Sequence, residues 1–167
     1  QLNVFKKEGL IKKIGVSVYS YKQLQLILDN FDIDLVQLPF NIIDRRLIDN
    51  SLFEILKSKG VEIHVRSVFL QGLLLMDKRN RPNKFSQWRD LWKLWHEWLH
   101  DNNLTALEAT VRYVVSMSEI TKVLVGIDSK SQLEEIVLAS TGGLPDIPKE
   151  LFTNDVNLLN PVNWGRL

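Results

Sequence analysis

The chain has 167 residues, 45% of them hydrophobic, which is enough to bury one sizeable core and predicts a single domain over residues 1–167. Its 21 Lys and Arg nearly balance its 20 Asp and Glu without a long run of either sign, which argues against a nucleic-acid partner. Cysteine is absent, which excludes disulfides and thiolate chemistry. The sequence shows neither a signal peptide nor an apolar run of membrane-spanning length. We therefore expect a cytoplasmic protein with no membrane partner.

Short apolar and β-branched runs alternate with amphipathic helical patterns along the chain. The opening segment QLNVFKKEG predicts the end of a helix that begins before Gln1. In the next helical pattern, Leu24, Leu28 and Phe31 recur at the spacing of one buried helix face. The predicted strands are Lys13–Ser17, Asp34–Phe40, Val61–Phe69 and Val123–Gly126, and the predicted helices are Ser20–Phe31, Arg45–Ser58, Gln87–Asn102, Ala106–Ser116 and Ser129–Ala139.

The alternation of apolar strands and helices predicts an α/β fold with a parallel sheet covered on both faces. The interval between the third and fourth strands is about twice as long as the others, and it holds the loop Met76–Lys84 and two helices. Long loops after strands commonly carry the functional face of a (β/α)₈ barrel, which needs eight strands and roughly 250 residues. Four units therefore predict an incomplete TIM-type barrel, and an open four-stranded sheet is the alternative.

Five segments, taken in order along the chain, carry a family resemblance. They are Gly15-Val16-Ser17, QLPFNIIDRR (37–46), VRSVFLQGLLL (65–75), ALEATVRYVVS (106–116) and VLVGIDSKSQLEE (123–135). Their order and spacing resemble the C-terminal half of the barrel of aldo/keto reductases. The resemblance implies hydride transfer between a nicotinamide cofactor and a small carbonyl or alcohol. The expected cofactor is NADP, and NAD is possible.

The resemblance also implies that acid–base catalysis lies outside this chain. The four catalytic residues of the family, an Asp, a Tyr, a Lys and a His, belong to the half of the barrel that would precede Gln1. We therefore assign no catalytic residue here and expect the isolated chain to be inactive. The implied partners are the missing N-terminal half of the barrel and a small carbonyl substrate, and a fragment with unpaired sheet edges is expected to form homo-oligomers.

By the same resemblance, the polar residues that end the strands hold the nicotinamide and the pyrophosphate. Ser17 and Gln37 would hold the carboxamide, although Val18 stands where the family often has Asn. Arg66 stands where many members stack an aromatic ring on the nicotinamide, and a guanidinium plane can also stack on a π system. Ser67 and the backbone through Gly72 would face the pyrophosphate.

The segment after the fourth predicted strand is expected to hold the adenosine end of the cofactor. A strand that ends in glycine and leads into a capped helix suits a phosphate, because the first N–H groups of the helix are unpaired and carry partial positive charge. An ordinary capped helix is the alternative. Gln132 replaces the Arg of many NADP-dependent members, which leaves the choice between NADP and NAD open. The implied residues are Gly126, Ser129, Lys130, Gln132 and Glu135.

His96-Glu97-Trp98-Leu99-His100 spells H-E-x-x-H, the zinc-protease signature. A helical wheel places Trp92, Trp95 and Trp98 on one face, and His96 and His100 on the opposite face. A catalytic zinc helix turns its two His into the protein, where a third ligand converges on them. We therefore predict that both His are exposed and assign no metal.

Three functions follow from the sequence. The leading one is an NAD(P)-dependent oxidoreductase of aldo/keto reductase type, of which this chain supplies the cofactor-binding half. The alternative is a non-catalytic descendant of such a barrel that binds a nucleotide or a partner protein. A zinc hydrolase is the third, and it rests on the H-E-x-x-H motif alone.

Overall fold

A computed structural model describes residues 1–49 and 51–166 of the chain. The strands pair in parallel and in chain order, so that each strand lies beside the next one in the sequence. This arrangement confirms the predicted α/β fold with a parallel sheet. The strands are β1 (Gly15–Ser17), β2 (Leu35–Pro39), β3 (Glu62–Arg66) and β4 (Lys122–Val123).

Helices lie before, between and after the strands. No helix of the described ranges, 1–49 and 51–166, combines the length and apolar character needed to cross a membrane. Short 3₁₀ segments cover Asn83–Trp88, Lys149–Leu151 and Pro161–Arg166. The α-helices are α1 (Leu2–Lys7), α2 (Tyr21–Asn30), α3 (Arg46–Asp49), α4 (Leu52–Ser58), α5 (Arg89–Asp101), α6 (Ala106–Val115), α7 (Lys130–Ala139) and α8 (Val156–Leu159).

Two predicted helix features were wrong. The single helix predicted over Arg45–Ser58 is two helices, and Ser51 between them has a φ of 51°, a left-handed conformation that interrupts the right-handed helix path. Phe31, predicted on the buried face of α2, is 66% exposed. The reason is that α2 ends at Asn30 and the backbone at Phe31 is extended, which turns the side chain out of the helix face.

The two faces of the sheet differ. Side chains alternate between faces along each strand. Val36 and Val65 are fully buried on one face, whereas Gln37, His64 and Arg66 on the other face are only half-buried. We predicted that both faces of the sheet are covered. Within the described residues, only one of the two faces is. In a closed barrel the corresponding face points to the interior and is covered by the other strands. The row of half-buried polar side chains is consistent with half of such a barrel.

The Trp-rich helix α5 anchors the long connection between β3 and β4. Trp92, Trp95 and Trp98 are buried, which confirms the predicted apolar face. Each indole N–H donates to a backbone carbonyl, that of Phe85 at 3.1 Å, Leu74 at 3.2 Å and Asp146 at 3.0 Å respectively. These bonds satisfy groups that would be costly to bury unpaired, and they fix both the loop after β3 and the C-terminal segment against α5.

A capping box starts helix α6. The Thr105 hydroxyl accepts a hydrogen bond from the Glu108 backbone N–H at 3.2 Å, and the Thr105 backbone N–H donates to the Glu108 carboxylate at 2.9 Å. The Thr105 hydroxyl also donates to that carboxylate at 2.8 Å. These bonds from Thr105, together with the nearby Arg112, hold the pKa of Glu108 below its ordinary value.

We predict that Thr105→Ala lowers the free energy of unfolding by about 1 kcal/mol, because it removes the cap of α6. Since the pKa of Glu108 is lowered by folding, its contribution is complete above its unfolded pKa and is lost as the pH falls through the folded value. Chemical denaturation at pH 7 and at about pH 3 measures both effects. Wild type should lose more stability than Glu108→Gln over this range.

Thr141→Ala is the matched control, because Thr141 is exposed and its hydroxyl only donates to the Leu138 carbonyl at the end of α7. An equal loss of stability in Thr105→Ala and Thr141→Ala would contradict a stabilising capping box.

Candidate functional site

A cleft of about 1120 Å³ opens at the C-terminal ends of the strands, and we call it the strand-end cleft. Ligands of open and closed α/β sheets bind at this edge, because the loops that follow the strands converge there. The cleft runs from the ends of β2 and β3 to the start of α7. Of the residues expected to bind the cofactor, those that line it are Gln37, Arg66, Ser67, Gly72, Gly126, Gln132 and Glu135.

Ser17 and Gln37 meet at one end of the cleft. They are partners in the pairing of β1 with β2, and the Ser17 hydroxyl donates to the Gln37 side-chain oxygen over 3.4 Å. This distance is long for a hydrogen bond between two oxygens. Gln37 lines the cleft, whereas Ser17 does not.

Arg66 is held at the end of β3 by residues from two strand ends. Its guanidinium donates to the Val18 carbonyl and to the Ser67 hydroxyl, both at 3.3 Å. Its central carbon lies 4.2 Å from the ring centroid of Tyr19. Tyr19 therefore occupies one face of the guanidinium plane, which leaves at most one face for another ring.

Tyr19 was missed by the sequence reasoning. Its position two residues beyond Ser17, at the point where β1 ends, was a signal that it lies near the other strand ends.

The loop after β3 turns back sharply beside the cleft. Ser67, Leu70, Gln71 and Gly72 all have a positive φ, between 47° and 82°. For the residues other than glycine this conformation costs free energy, so surrounding contacts must hold it. One such contact is the bond from the Asn41 side-chain amide to the Ser67 carbonyl at 3.1 Å.

Asn41 is a positioning residue that the sequence reasoning did not single out. It is almost fully buried, and its side-chain oxygen accepts from the backbone N–H groups of Ile43 and Asp44, both at 3.1 Å. Its amide thereby ties the turn after β2 to the turn after β3. A polar Asn directly after the apolar run QLPF was the available signal.

The residues predicted around the start of α7 fall into two groups, those that line the cleft and those that do not. Ser129 caps the helix, because its hydroxyl accepts from the Gln132 backbone N–H at 3.2 Å. Lys130 is 88% exposed, lies 3.2 Å from Glu134 and does not line the cleft. The Gln132 side chain accepts from the Asp128 backbone N–H at 2.7 Å. Ser129 and Lys130 thus lie outside the wall that Gly126, Gln132 and Glu135 form.

The charges of the cleft are unevenly distributed. Arg66 lies at the strand ends, whereas Asp128 and Glu135 line the opposite end beside α7. Between the two ends, Gly72 and Gly126 have no atom within 4 Å of the position that a Cβ would take. Their backbone therefore faces open space, which allows a bulky group to approach it closely.

The H-E-x-x-H helix presents its two His differently. His100 is 89% exposed, as predicted, but His96 is half-buried, and the prediction that it is solvated was wrong. The reason is that the loop before α5 folds back, so that an Arg81 N–H donates to His96 Nε2 at 3.3 Å. Within the part of the chain that the structure describes, no group of three or more His, Asp or Glu is arranged to hold a metal ion.

Solved structures of aldo-keto reductases and one curated sequence resemble this chain. Aldo-keto reductase AKR11C1 from Bacillus halodurans, in its holo form, superposes with a TM-score of 0.65 at 21% identity, covering 86% of this chain and 49% of that one. The thermostable aldo-keto reductase Tm1743, solved with the inhibitor epalrestat, gives a TM-score of 0.62 at 18% identity over 90% of this chain and 50% of that one. At these identities the likeness shows the fold.

The sequence relative is the NADH-specific methylglyoxal reductase of Escherichia coli (strain K12), which is 24% identical over 165 residues that cover 90% of this chain and 50% of that protein. The chain thus spans about half the length of the relatives it matches. The model of the aldo/keto reductase family matches residues 1–146. The chain therefore belongs to the aldo/keto reductase family, as its five segments predicted.

Proposed function

We propose that the strand-end cleft holds a nicotinamide dinucleotide, and that the complete protein transfers hydride between this cofactor and a small carbonyl or alcohol. The observation that carries the proposal is the continuous wall of the cleft. It begins with the amide of Gln37 and the guanidinium of Arg66, passes the open backbone of Gly72 and Gly126, and ends at Glu135. The nicotinamide, the pyrophosphate and the adenosine of a dinucleotide differ in charge and hydrogen bonding, so each needs a different part of such a wall.

The residues at the strand ends fit the nicotinamide. A primary carboxamide has one acceptor and two N–H donors, which matches the side-chain amide of Gln37. The Ser17 hydroxyl, 3.4 Å from the side-chain oxygen of Gln37, gives that amide only weak support in the free cleft. The guanidinium of Arg66 offers its remaining face to the nicotinamide ring, while Tyr19 supports the other face.

The middle of the cleft fits the pyrophosphate. The chain from Ser67 to Gly72 turns along one side of the cleft, and Gly126 lies on the wall after β4. Neither Gly72 nor Gly126 has a side chain that would keep a phosphate oxygen away from the backbone. We assign these residues to the pyrophosphate on this ground.

The adenosine end favours NAD(H) over NADP(H), although the resemblance first suggested NADP. Two carboxylates, Asp128 and Glu135, line this end and would repel a 2′-phosphate. The nearest assigned cation, Lys130, is exposed and lies beside Glu134. In other dinucleotide folds an acidic residue bonds the free ribose hydroxyl, and a cation is used for the phosphate. Ser129 contributes through its cap of α7.

In the proposed reaction the chain binds and orients, and the bound nicotinamide cofactor supplies the hydride chemistry. Gln37 and Arg66 hold the ring in one orientation, and the turn fixed by Asn41 keeps the wall after β3 in place. None of the assigned residues is a proton donor for carbonyl reduction. We therefore assign that role to the Tyr that the family carries, together with its Asp, Lys and His, in the other half of the barrel.

The activity of the complete protein tests this proposal. We expect it to oxidise NADH in the presence of methylglyoxal and other small carbonyls, and we expect the isolated 167-residue chain to give no turnover because it lacks the proton donor. The loss of NADH absorbance measures both. Turnover by the rigorously purified isolated chain would contradict the assignment of catalysis to the other half.

NADH binding by the complete protein without turnover of any carbonyl would instead favour the alternative, a non-catalytic nucleotide-binding descendant. In the same preparations, we expect the isolated chain to associate, since both edges of the sheet lack a neighbouring strand within residues 1–49 and 51–166.

The affinities of Lys130→Ala in the complete protein test the choice of cofactor. Wild type should bind NADH more tightly than NADPH, because Asp128 and Glu135 oppose the additional phosphate. Since Lys130 is exposed, its removal should weaken NADPH binding by only about twofold to fivefold and leave NADH binding unchanged. Fluorescence titration of both cofactors gives the four dissociation constants.

Lys149→Ala is the control, because Lys149 is also exposed but lies away from the cleft. Tighter binding of NADPH than of NADH by wild type, with a large loss in Lys130→Ala only, would show that NADP is the cofactor.

A further inference from the structure

A second groove, of about 490 Å³, lies between the loop after β3 and the polar side of α5, and we call it the α5 groove. It has no lining residue in common with the strand-end cleft. Its volume is in the range of sites that hold small molecules. The proposed function leaves this groove without a role.

Arg81 is the central residue of the α5 groove. Its guanidinium stacks on buried Trp92, with the central carbon 4.2 Å from the ring centroid. Two of its nitrogens are paired, one with the Met76 carbonyl at 3.2 Å and one with His96 at 3.3 Å. Its Nε is buried and has no hydrogen-bond partner among the described residues. A guanidinium has five N–H donors, so its hydrogen-bonding capacity is not filled by these partners.

The charge of Arg81 is also uncompensated at short range. Within residues 1–49 and 51–166, no carboxylate lies within 4.0 Å of its nitrogens. Asp77, on the same loop, is paired with Arg79 at 3.5 Å, and its longer-range attraction raises the pKa of Arg81 by less than burial lowers it. Burial is costly for a charged group that lacks an opposite charge. The groove therefore contains a partly desolvated cation, fixed in place, that an anion would neutralise.

The groove as a whole is cationic. Lys78, Arg89 and Lys93 line it together with Arg81, and the only lining carboxylates among the described residues are Glu97 and Asp101. Glu97 lies 3.7 Å from Lys93 and partly offsets its charge, and Asp101 lies 3.2 Å from His100. Four cations against two carboxylates still leave the described lining with an excess of positive charge.

His96 lies in the groove as a neutral hydrogen-bond acceptor. A guanidinium can only donate, so the Nε2 of His96 that faces Arg81 carries a lone pair and not a proton. Burial, and then the charge of Arg81, lower the pKa of His96, which agrees with a neutral ring. The same contact argues against a metal at this place, because the nitrogen that would bind the metal faces a positive charge.

We propose that the α5 groove binds the phosphate group of a small phosphorylated molecule, with the guanidinium of Arg81 as its main contact. A phosphate monoester carries a charge of about −1.5 to −2 at pH 7 and three acceptor oxygens, which suits a groove whose cations outnumber its carboxylates. Arg is well suited to this contact, since its planar fork matches two phosphate oxygens. Lys93 and Lys78 on the rim add to the attraction.

Calorimetric titration of the complete protein tests the proposal, with NADH present in excess so that the strand-end cleft is filled. The probes are inorganic phosphate, glucose 6-phosphate and glucose. We expect both phosphates to bind and glucose not to bind. Equal affinity for the two phosphates would identify the free ion as the ligand, whereas tighter binding of glucose 6-phosphate would identify a phosphate ester.

Arg81→Gln should weaken binding of the phosphates by about tenfold or more, because a charged hydrogen-bond donor is lost. Arg79→Gln is the matched control, since Arg79 is on the same loop, is 89% exposed and does not line the groove. Lys93→Gln, on the exposed rim, should weaken binding by about threefold without disturbing any buried contact. If Arg81→Gln does not fold, the Lys93→Gln variant still tests whether phosphate binds in the α5 groove.

The absence of phosphate binding by wild type would overturn the proposal, as would equal affinities of wild type and all three variants. Neither result depends on whether the strand-end cleft binds NADH, because the comparison of Arg81 with Arg79 concerns the α5 groove alone. Failure of the dinucleotide proposal is therefore distinguishable from failure of this one.

Discussion

The parallel pairing of β1, β2 and β3 determines where the polar side chains of the strand-end cleft lie. Ser17 ends β1 and is paired with Gln37 in the middle of β2, whereas Arg66 ends β3 and is paired with Pro39. This register places the three polar residues on the same face of neighbouring strands. The bond from Asn41 to the Ser67 carbonyl then joins the turns that follow β2 and β3. A slip of one residue in this register would turn each of these side chains to the opposite face of the sheet. The rest of the cleft depends on this register.

Much of this arrangement could be predicted from the sequence, because apolar runs identify strands and the polar residues at their ends identify one edge of the sheet. The support for Arg66 could not be predicted, since Tyr19 reaches it only through the pairing of distant segments. The half-burial of His96 could not be predicted from the sequence either. A helical wheel shows which side of α5 is apolar, but it does not show that the loop carrying Arg81 folds over the other side.

One loop borders both binding regions. Leu75 lines the strand-end cleft, and the carbonyl of the next residue, Met76, accepts from Arg81 in the α5 groove. The Leu74 carbonyl, one residue earlier, accepts from the indole of Trp95. The loop is therefore held to α5 directly at Leu74, and at Met76 through Arg81, which stacks on Trp92 of α5. The wall of the cleft and the cation of the groove thus lie on one anchored segment.

The central claim is that a dinucleotide lies along the strand-end cleft with its pyrophosphate against Gly126. The most direct measurement is the NADH affinity of Gly126→Val in the complete protein, compared with Gly143→Val, since both glycines have open space at the Cβ position and neither has a positive φ. Gly143 lies outside the cleft. The account predicts that Gly126→Val weakens NADH binding by about tenfold or more through steric exclusion, with unchanged folding, while Gly143→Val binds as wild type does. Equal NADH affinities for wild type and both folded variants would contradict it.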